Sequence, residues 1–267
     1  MQDDSLSFNG LVDLYDETRT FDAECFSSAL DYLQLEYPPD RYRKVFEPGI
    51  GNGRIAIPLA RRGYDVTGVD ISSEMLLQLS DRLHGTPYEG KVSFQQADVT
   101  NLPFADDQFD MAIVVHLFYF ISDWKKSVDE ICRVVRSNGS LILMHTGTGE
   151  EIPVLNQRYK ELCADSGVDT SQPGVKSTSE VIQYLLEYDR SIEYVQDKWM
   201  WTSKIQIAKA LDYLQMRSYS FTTFAPDDIH NDVMCRLRDE LKCQGVGADE
   251  ILEIPNQIYL AIIRNAE

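Results

Sequence analysis

The residues with the plainest chemical potential lie in VFEPGIGNGRIAIPLARRGYDVTGVD, residues 45–70. Two short apolar runs end in carboxylates, Glu47 and Asp70, and three alternating glycines, Gly49, Gly51 and Gly53, follow the first. The pattern predicts a strand, a tight turn, a helix and a second strand. Such a unit sets a glycine loop and a helix N-terminus at the carboxyl edge of a parallel sheet, where nucleotides bind. Backbone that turns sharply and touches a ligand favours residues without a Cβ. Asp70 follows Gly49 by 21 residues, close to the roughly 20-residue spacing of a carboxylate that accepts from ribose hydroxyls. A dinucleotide fingerprint would need glycine at position 54, and this chain has Arg54 there. Glu47, a carboxylate beside the loop, repels a pyrophosphate and attracts an ammonium group. A nucleoside bearing an amino group and a sulfonium therefore suits the loop better than a nicotinamide dinucleotide.

With GVDISSEML (68–76), ADVTNLPF (97–104), FDMAIVVHLFYFISDW (109–124) and EICRVVRSNGSLIL (130–143), the E-x-G-x-G-x-G of Glu47–Gly53 resembles the motifs of class I S-adenosylmethionine (SAM)-dependent methyltransferases, in particular the type 11-like small-molecule subfamily. The resemblance covers roughly residues 11–145 well and the remainder loosely. It implies SAM as cofactor, S-adenosylhomocysteine as product, and methyl transfer to a small-molecule acceptor by in-line displacement. It implies cofactor contacts from Glu47, Gly49, Gly51, Asn52, Gly53, Asp70 and Ile71. Asp98 would accept from the adenine amino group and the Val99 amide would donate to the ring, with Met75 against the adenine. Tyr15 and Arg19 fit a Tyr-Asp-x-x-Arg segment that would fold over the donor methyl and the methionine carboxylate. Each has a plainer reading: a helix or turn cap for Asp98, core packing for Met75, a surface helix start for Tyr15 and Arg19.

Methyl transfer asks a protein mainly to align nucleophile, methyl and sulfur and to exclude water. His116 is the candidate base, since imidazole takes a proton near neutral pH. Val115, His116, Asp123 and Trp124 fit a family pattern at the end of the fourth strand, and contact of Val115 and His116 with cofactor or acceptor is the competing role. Tyr119 stands where many relatives carry a second histidine, and with Tyr15 completes the catalytic candidates. His145, Arg217 and Tyr219 are the candidates for binding acceptor, and RSYSF (217–221) resembles a cap segment of the same subfamily. Most other aromatics nearby, Trp199, Trp201, Tyr213, Phe221 and Phe224, read as core.

The elements that must position these residues follow a strand–helix alternation, which predicts a right-handed doubly wound sheet. Strands are predicted over 43–47, 64–70, 91–97, 109–115 and 139–145, and helices over 21–37, 52–62 and 124–136. Beyond His145, helices are expected near 151–165, 178–188, 204–216 and 227–243, a strand near 191–201, and a last strand or pair over 251–264 broken by Pro255. The fold class expected is α/β: a doubly wound, Rossmann-like, seven-stranded, mostly parallel sheet with helical cap insertions. One domain over 1–267 would hold a SAM-binding core near 40–145, a substrate cap near 146–250 and an N-terminal lid helix over 11–37.

A net charge of −18 over 267 residues disfavours nucleic acid as partner. The longest apolar run, 111–121, is too short for a span of about 20 residues, so no membrane partner is expected. The polar N-terminus reads as no signal peptide, and five scattered cysteines read as reduced thiols of a cytoplasmic protein. His84, His116, His145 and His230 lack paired ligand spacing, so no metal site is expected. A homodimer stays open. The alternatives are a catalytically silent SAM-binding protein and, against Glu47 and Arg54, a NAD-dependent oxidoreductase.

Overall fold

The computed structural model describes residues 21–147 and 154–265. Tyr15 and Arg19, with the lid segment 11–20, lie outside the described residues. Helix α1 (Ala23–Glu36) opens on an Asp22 cap whose carboxylate accepts from the amides of Glu24 and Cys25 at 3.1 and 2.9 Å. There follow β1 (Lys44–Pro48), α2 (Ala56–Arg61), β2 (Asp65–Asp70), α3 (Ser73–Leu83), β3 (Val92–Gln96), β4 (Phe109–Val115), α4 (Trp124–Val134) and β5 (Val135–Gly147). The remainder is α5 (Val154–Asp165), α6 (Thr178–Leu186), β6 (Arg190–Gln206), α7 (Ile207–Gln215), α8 (Asp227–Cys243) and β7 (Ile251–Asn265).

The seven strands form one sheet of order β3-β2-β1-β4-β5-β7-β6. Pairings β1–β2, β1–β4, β2–β3 and β4–β5 are parallel, and β7 runs antiparallel to both neighbours. Helices α1, α2 and α3 cover one face through Leu30, Leu33, Leu59, Leu79 and Leu83. Helices α4 and α6 cover the other through Val128, Ile131, Val134, Val181 and Leu185. Covered on both sides, β4 is apolar along Met111–Val114, each of them buried. A strand with no wet face brings its end, at Val115 and His116, to the edge where the chain turns.

Of the boundaries that differ from expectation, three do so for plain local reasons. Helix α2 starts at Ala56, not Asn52, because Gly51 and Gly53 hold φ of 53° and 82° and cannot enter a right-handed turn. Strand β7 runs unbroken through Pro255, which pairs with Thr202 of β6. The last β5 partner on its other side is Gln257, so past that point no strand among the described residues requires an amide on that side. Strand β6 extends to Gln206, because β7 continues beside it to Ile251.

Beyond Gln257, β6 and β7 leave the sheet as a two-stranded ribbon that leads into α7. There α5, α7 and α8 bury a separate core of Leu155, Tyr159, Leu162, Leu214, Phe221, Val233, Met234 and Leu237. Within the expected cap region, α6 instead belongs to the layer packed on the sheet beside α4. All five cysteines are free. Among the described residues, no helix is long and apolar enough to cross a membrane. Among the same residues, no three of His, Cys, Asp and Glu gather as a metal site.

Candidate active site

The loop leaving β1 crosses to the end of β2. The amides of Gly49 and Ile50 donate to the Val69 carbonyl at 2.8 and 2.9 Å. Gly49, Gly51 and Gly53 all lie at positive φ. At Gly53 a Cβ would also strike the Leu79 and Ile57 side chains, so the chain can have only glycine there without moving α3. The Asp70 carboxylate is held by two backbone amides: Oδ2 accepts from Gly51 at 2.9 Å and Oδ1 from Ser72 at 2.8 Å. Each carboxylate oxygen offers two acceptor positions, so these bonds fix the group without using all of its acceptor capacity. Burial pushes the Asp70 carboxyl above its ordinary value, and the amides of Ser72, Gly51 and Ile71 pull it back down.

Glu47, on β1, is 3% exposed. Its Oε2 is buried with no hydrogen-bond partner among the described residues. Burial holds its carboxyl well above the ordinary value of 4.5, opposed by Arg54 and reinforced by the charge of Asp70. Arg54 itself lies over the Phe21 ring at 4.4 Å, where the chain enters from the N-terminal segment.

A cleft with about 90 Å³ of enclosed space opens beside the loop. Gly49, Gly51, Asp70, Ile71, Met75, Asp98, Val99, Val115 and His116 line it, and so do Ala97, Leu117, Phe120 and Ile121. Glu47 and Asn52 line a smaller cavity on the other side of the loop, which shares Gly49, Gly51 and Val115 with the cleft. Gly53 packs between α2 and α3. Asp98 serves as a turn cap, Oδ1 accepting from the Thr100 amide at 2.8 Å, while also lining the cleft. Its two readings are therefore compatible.

His116 sits where β4 ends, at φ 51°. That left-handed conformation costs a residue with a Cβ about 1–3 kcal/mol and marks sites whose surroundings over-determine the backbone. Its Nε2 accepts from the Thr146 amide at 3.2 Å and meets the Thr146 hydroxyl at 2.7 Å. An Nε2 that accepts from an amide places the proton on Nδ1. The His116 ring lies edge-on to His145 at 5.6 Å. His145 stacks on Tyr259 at 5.2 Å, and burial lowers its pKa to about 4, so it is neutral at pH 7. Thr178 Oγ1 joins His145 Nε2 at 3.0 Å and the Tyr119 hydroxyl at 3.0 Å.

Tyr119 thus stands one cavity away from the cleft. It lines a small passage with His116, Leu117, His145, Val175 and Thr178. Arg217 and Tyr219 are not brought to these cavities. The Arg217 guanidinium donates to the carbonyls of Thr222 and Ala225 and pairs with Asp227 at 2.9 Å. Tyr219 stacks on Phe221 at 5.5 Å, against the helical core. Thr146 and Thr178 carried no signal as isolated threonines. Their partners His116 and His145 become neighbours only through the β4–β5 register, Val115 beside Met144.

A 3-2-1-4-5-7-6 sheet with antiparallel β7 is a fold shared with solved methyltransferase structures. Residues 46–143 match the family described as a methyltransferase domain. That stretch carries the type 11 methyltransferase domain. Over 88 residues it is 36% identical to a demethylmenaquinone methyltransferase of Desulfitobacterium hafniense, covering 33% of this chain and 34% of that one. The match spans about a third to a half of the length of the first curated relatives. The fold superposes on the YcgJ protein of Bacillus subtilis with a TM-score of 0.60 at 22% identity, over 90% of this chain and 99% of that one. A Haemonchus contortus phosphoethanolamine N-methyltransferase, solved with phosphomonomethylethanolamine and S-adenosylhomocysteine, shares the fold with a TM-score of 0.53 at 15% identity, over 98% of this chain and 61% of that one.

Proposed function

We propose that the cleft binds SAM and that the protein transfers its methyl group to a small-molecule acceptor. The observation that carries this is the Glu47 carboxylate, buried beside the glycine loop with one oxygen unpartnered among the described residues. A buried polar group without a partner costs about 1–3 kcal/mol. The ammonium of an amino-acid-bearing nucleoside supplies the missing donor and the opposite charge. The remaining acceptor positions of Asp70 suit the paired hydroxyls of a ribose. Asp98 and the Val99 amide would read the adenine edge, and their sharing of the cleft wall with Met75, Leu117 and Ile121 supports this.

Bound SAM supplies a methyl group on a sulfonium, already a good leaving group. The chain has to orient the acceptor and receive its proton. His116 stands at the junction of the cleft and the passage. Its basic nitrogen, Nε2, accepts from the Thr146 amide, so taking the acceptor's proton there requires that bond to open. Calorimetry tests the reading: wild-type protein binds SAM and S-adenosylhomocysteine, and Asp70→Ala weakens both by about 100-fold or more, equivalent to two lost charge-assisted bonds. Unchanged affinity in Asp70→Ala, or no binding by wild type, refutes it. Tight binding without transfer across a broad acceptor panel points to the catalytically silent alternative.

A further inference from the structure

Beyond the passage lined by Tyr119, His145 and Thr178 lies a second cavity of about 620 Å³. It shares those three residues and Val175 with the passage, which in turn shares His116 and Leu117 with the cleft. The three spaces therefore adjoin one another through shared walls, with His116, Leu117, Tyr119, His145 and Thr178 standing between the cleft and the larger cavity. The volume falls in the range of roughly 300–1,000 Å³ that holds small ligands.

The wall of this cavity runs against the composition of the chain. Asp and Glu number 43 against 25 Lys and Arg, yet its described lining holds Lys160 and Lys176 and no carboxylate. Hydroxyls of Thr170, Ser171 and Ser179 add donors, and Tyr194 and Tyr259 add aromatic faces. The acids nearby lie outside the described wall. Glu180 accepts from the amides of Lys176 and Ser177 at 2.7 and 3.1 Å. Glu161 pairs with Arg158 at 2.8 Å, and Asp169 accepts from the Ser171 amide at 2.8 Å and feels the charge of Lys176. Lys160 rests over the Phe221 ring at 4.6 Å, half-buried, and burial lowers its pKa. Lys176 is exposed and its ammonium donates to the Gln172 carbonyl at 3.3 Å. Two lysines in a wall that holds no described carboxylate favour an anion over a cation.

We propose that this cavity is the acceptor site and that the acceptor is a small organic anion, its carboxylate or phosphate held by Lys160 and Lys176 and its reacting atom directed past His145 toward His116. The proposal rests on the reading of the cleft as a SAM site. Its test separates the two. Protein loaded with S-adenosylhomocysteine is titrated calorimetrically with benzoate, phenyl phosphate and neutral benzamide. At least one anion binds about tenfold or more tighter than benzamide. Lys160→Gln with Lys176→Gln removes that preference, Lys160→Arg retains it, and the affinity for S-adenosylhomocysteine stays unchanged in all three. Equal binding of benzamide overturns the proposal. So does a preference that survives the double Gln variant, or no binding of any probe to the loaded protein. Failure of wild type to bind S-adenosylhomocysteine removes the SAM reading, and with it the acceptor assignment, whatever the probes do.

Discussion

Replacing Glu47 by Gln separates what the carboxylate does for the fold from what it does for a ligand. The group is 3% exposed and its carboxyl is raised well above 4.5 by burial. The folded state therefore binds the proton more tightly than the unfolded chain does. Its contribution to stability is fully present below the ordinary carboxylate value and is lost as pH rises through the raised one. Within that window the loss is about 1.4 kcal/mol per pH unit for a single group. Glu47→Gln keeps the shape and carries no charge at any pH. Urea unfolding between pH 5 and 8 should show ligand-free wild type losing stability relative to the variant as pH rises. The variant should end level with or above wild type at pH 8. Ligand affinity should move oppositely. Removing one member of a buried charge pair costs about 3–5 kcal/mol, so S-adenosylhomocysteine should bind about 100-fold more weakly or worse. Wild-type affinity should also fall as pH is lowered, because binding an ammonium requires the proton to leave. A variant that is less stable than wild type at pH 8 and still binds S-adenosylhomocysteine normally would refute the whole account of Glu47.

Gly53→Ala should lower stability by about 2 kcal/mol or more, read by thermal melting, since φ of 82° is strained for alanine and its Cβ meets Leu79. Thr146→Val removes the 2.7 Å contact to His116 Nε2 while leaving the backbone amide. The imidazole ¹⁵N shifts should then still show the single tautomer with its proton on Nδ1, with S-adenosylhomocysteine affinity unchanged. A mixture of tautomers would mean that the hydroxyl, not the amide, sets the ring. The His145 ring, with its pKa near 4, should show no NMR titration between pH 5.5 and 8, and a midpoint near 6.5 would mean that the Tyr259 stack opens to water.

The clustering of the proposed cofactor residues was legible because they are local in sequence. Glu47, the glycines and Asp70 sit within one strand–turn–helix–strand unit, so their spacing already encodes their proximity. Strand β4 and helix α8 have the predicted bounds, 109–115 and 227–243, because each carries an uninterrupted periodic pattern. The acceptor side was not legible in the same way. His145, Thr178, Tyr194 and Tyr259 come from four segments far apart in the chain, joined only by the β5–β7–β6 pairing and the docking of α6. Arg217 among aromatics suggested a pocket, but its side chain folds back on carbonyls of its own turn. Hydrogen bonds to a nearby backbone leave no periodic trace in a sequence. Tyr15 and Arg19 lie outside the described residues, and their roles stay as the resemblance implies.

The ribbon of β6 and β7 carries a helical cluster with a core of its own. Lys160 is placed by that cluster, whereas Glu47 and Asp70 are placed by the sheet. On the proposed reading, one of the two anion-binding lysines and the donor's anchoring carboxylates stand on different hydrophobic cores. Exchanging the trio of helices on the same two strands would then alter the second cavity and leave the carboxylates of the glycine loop in place.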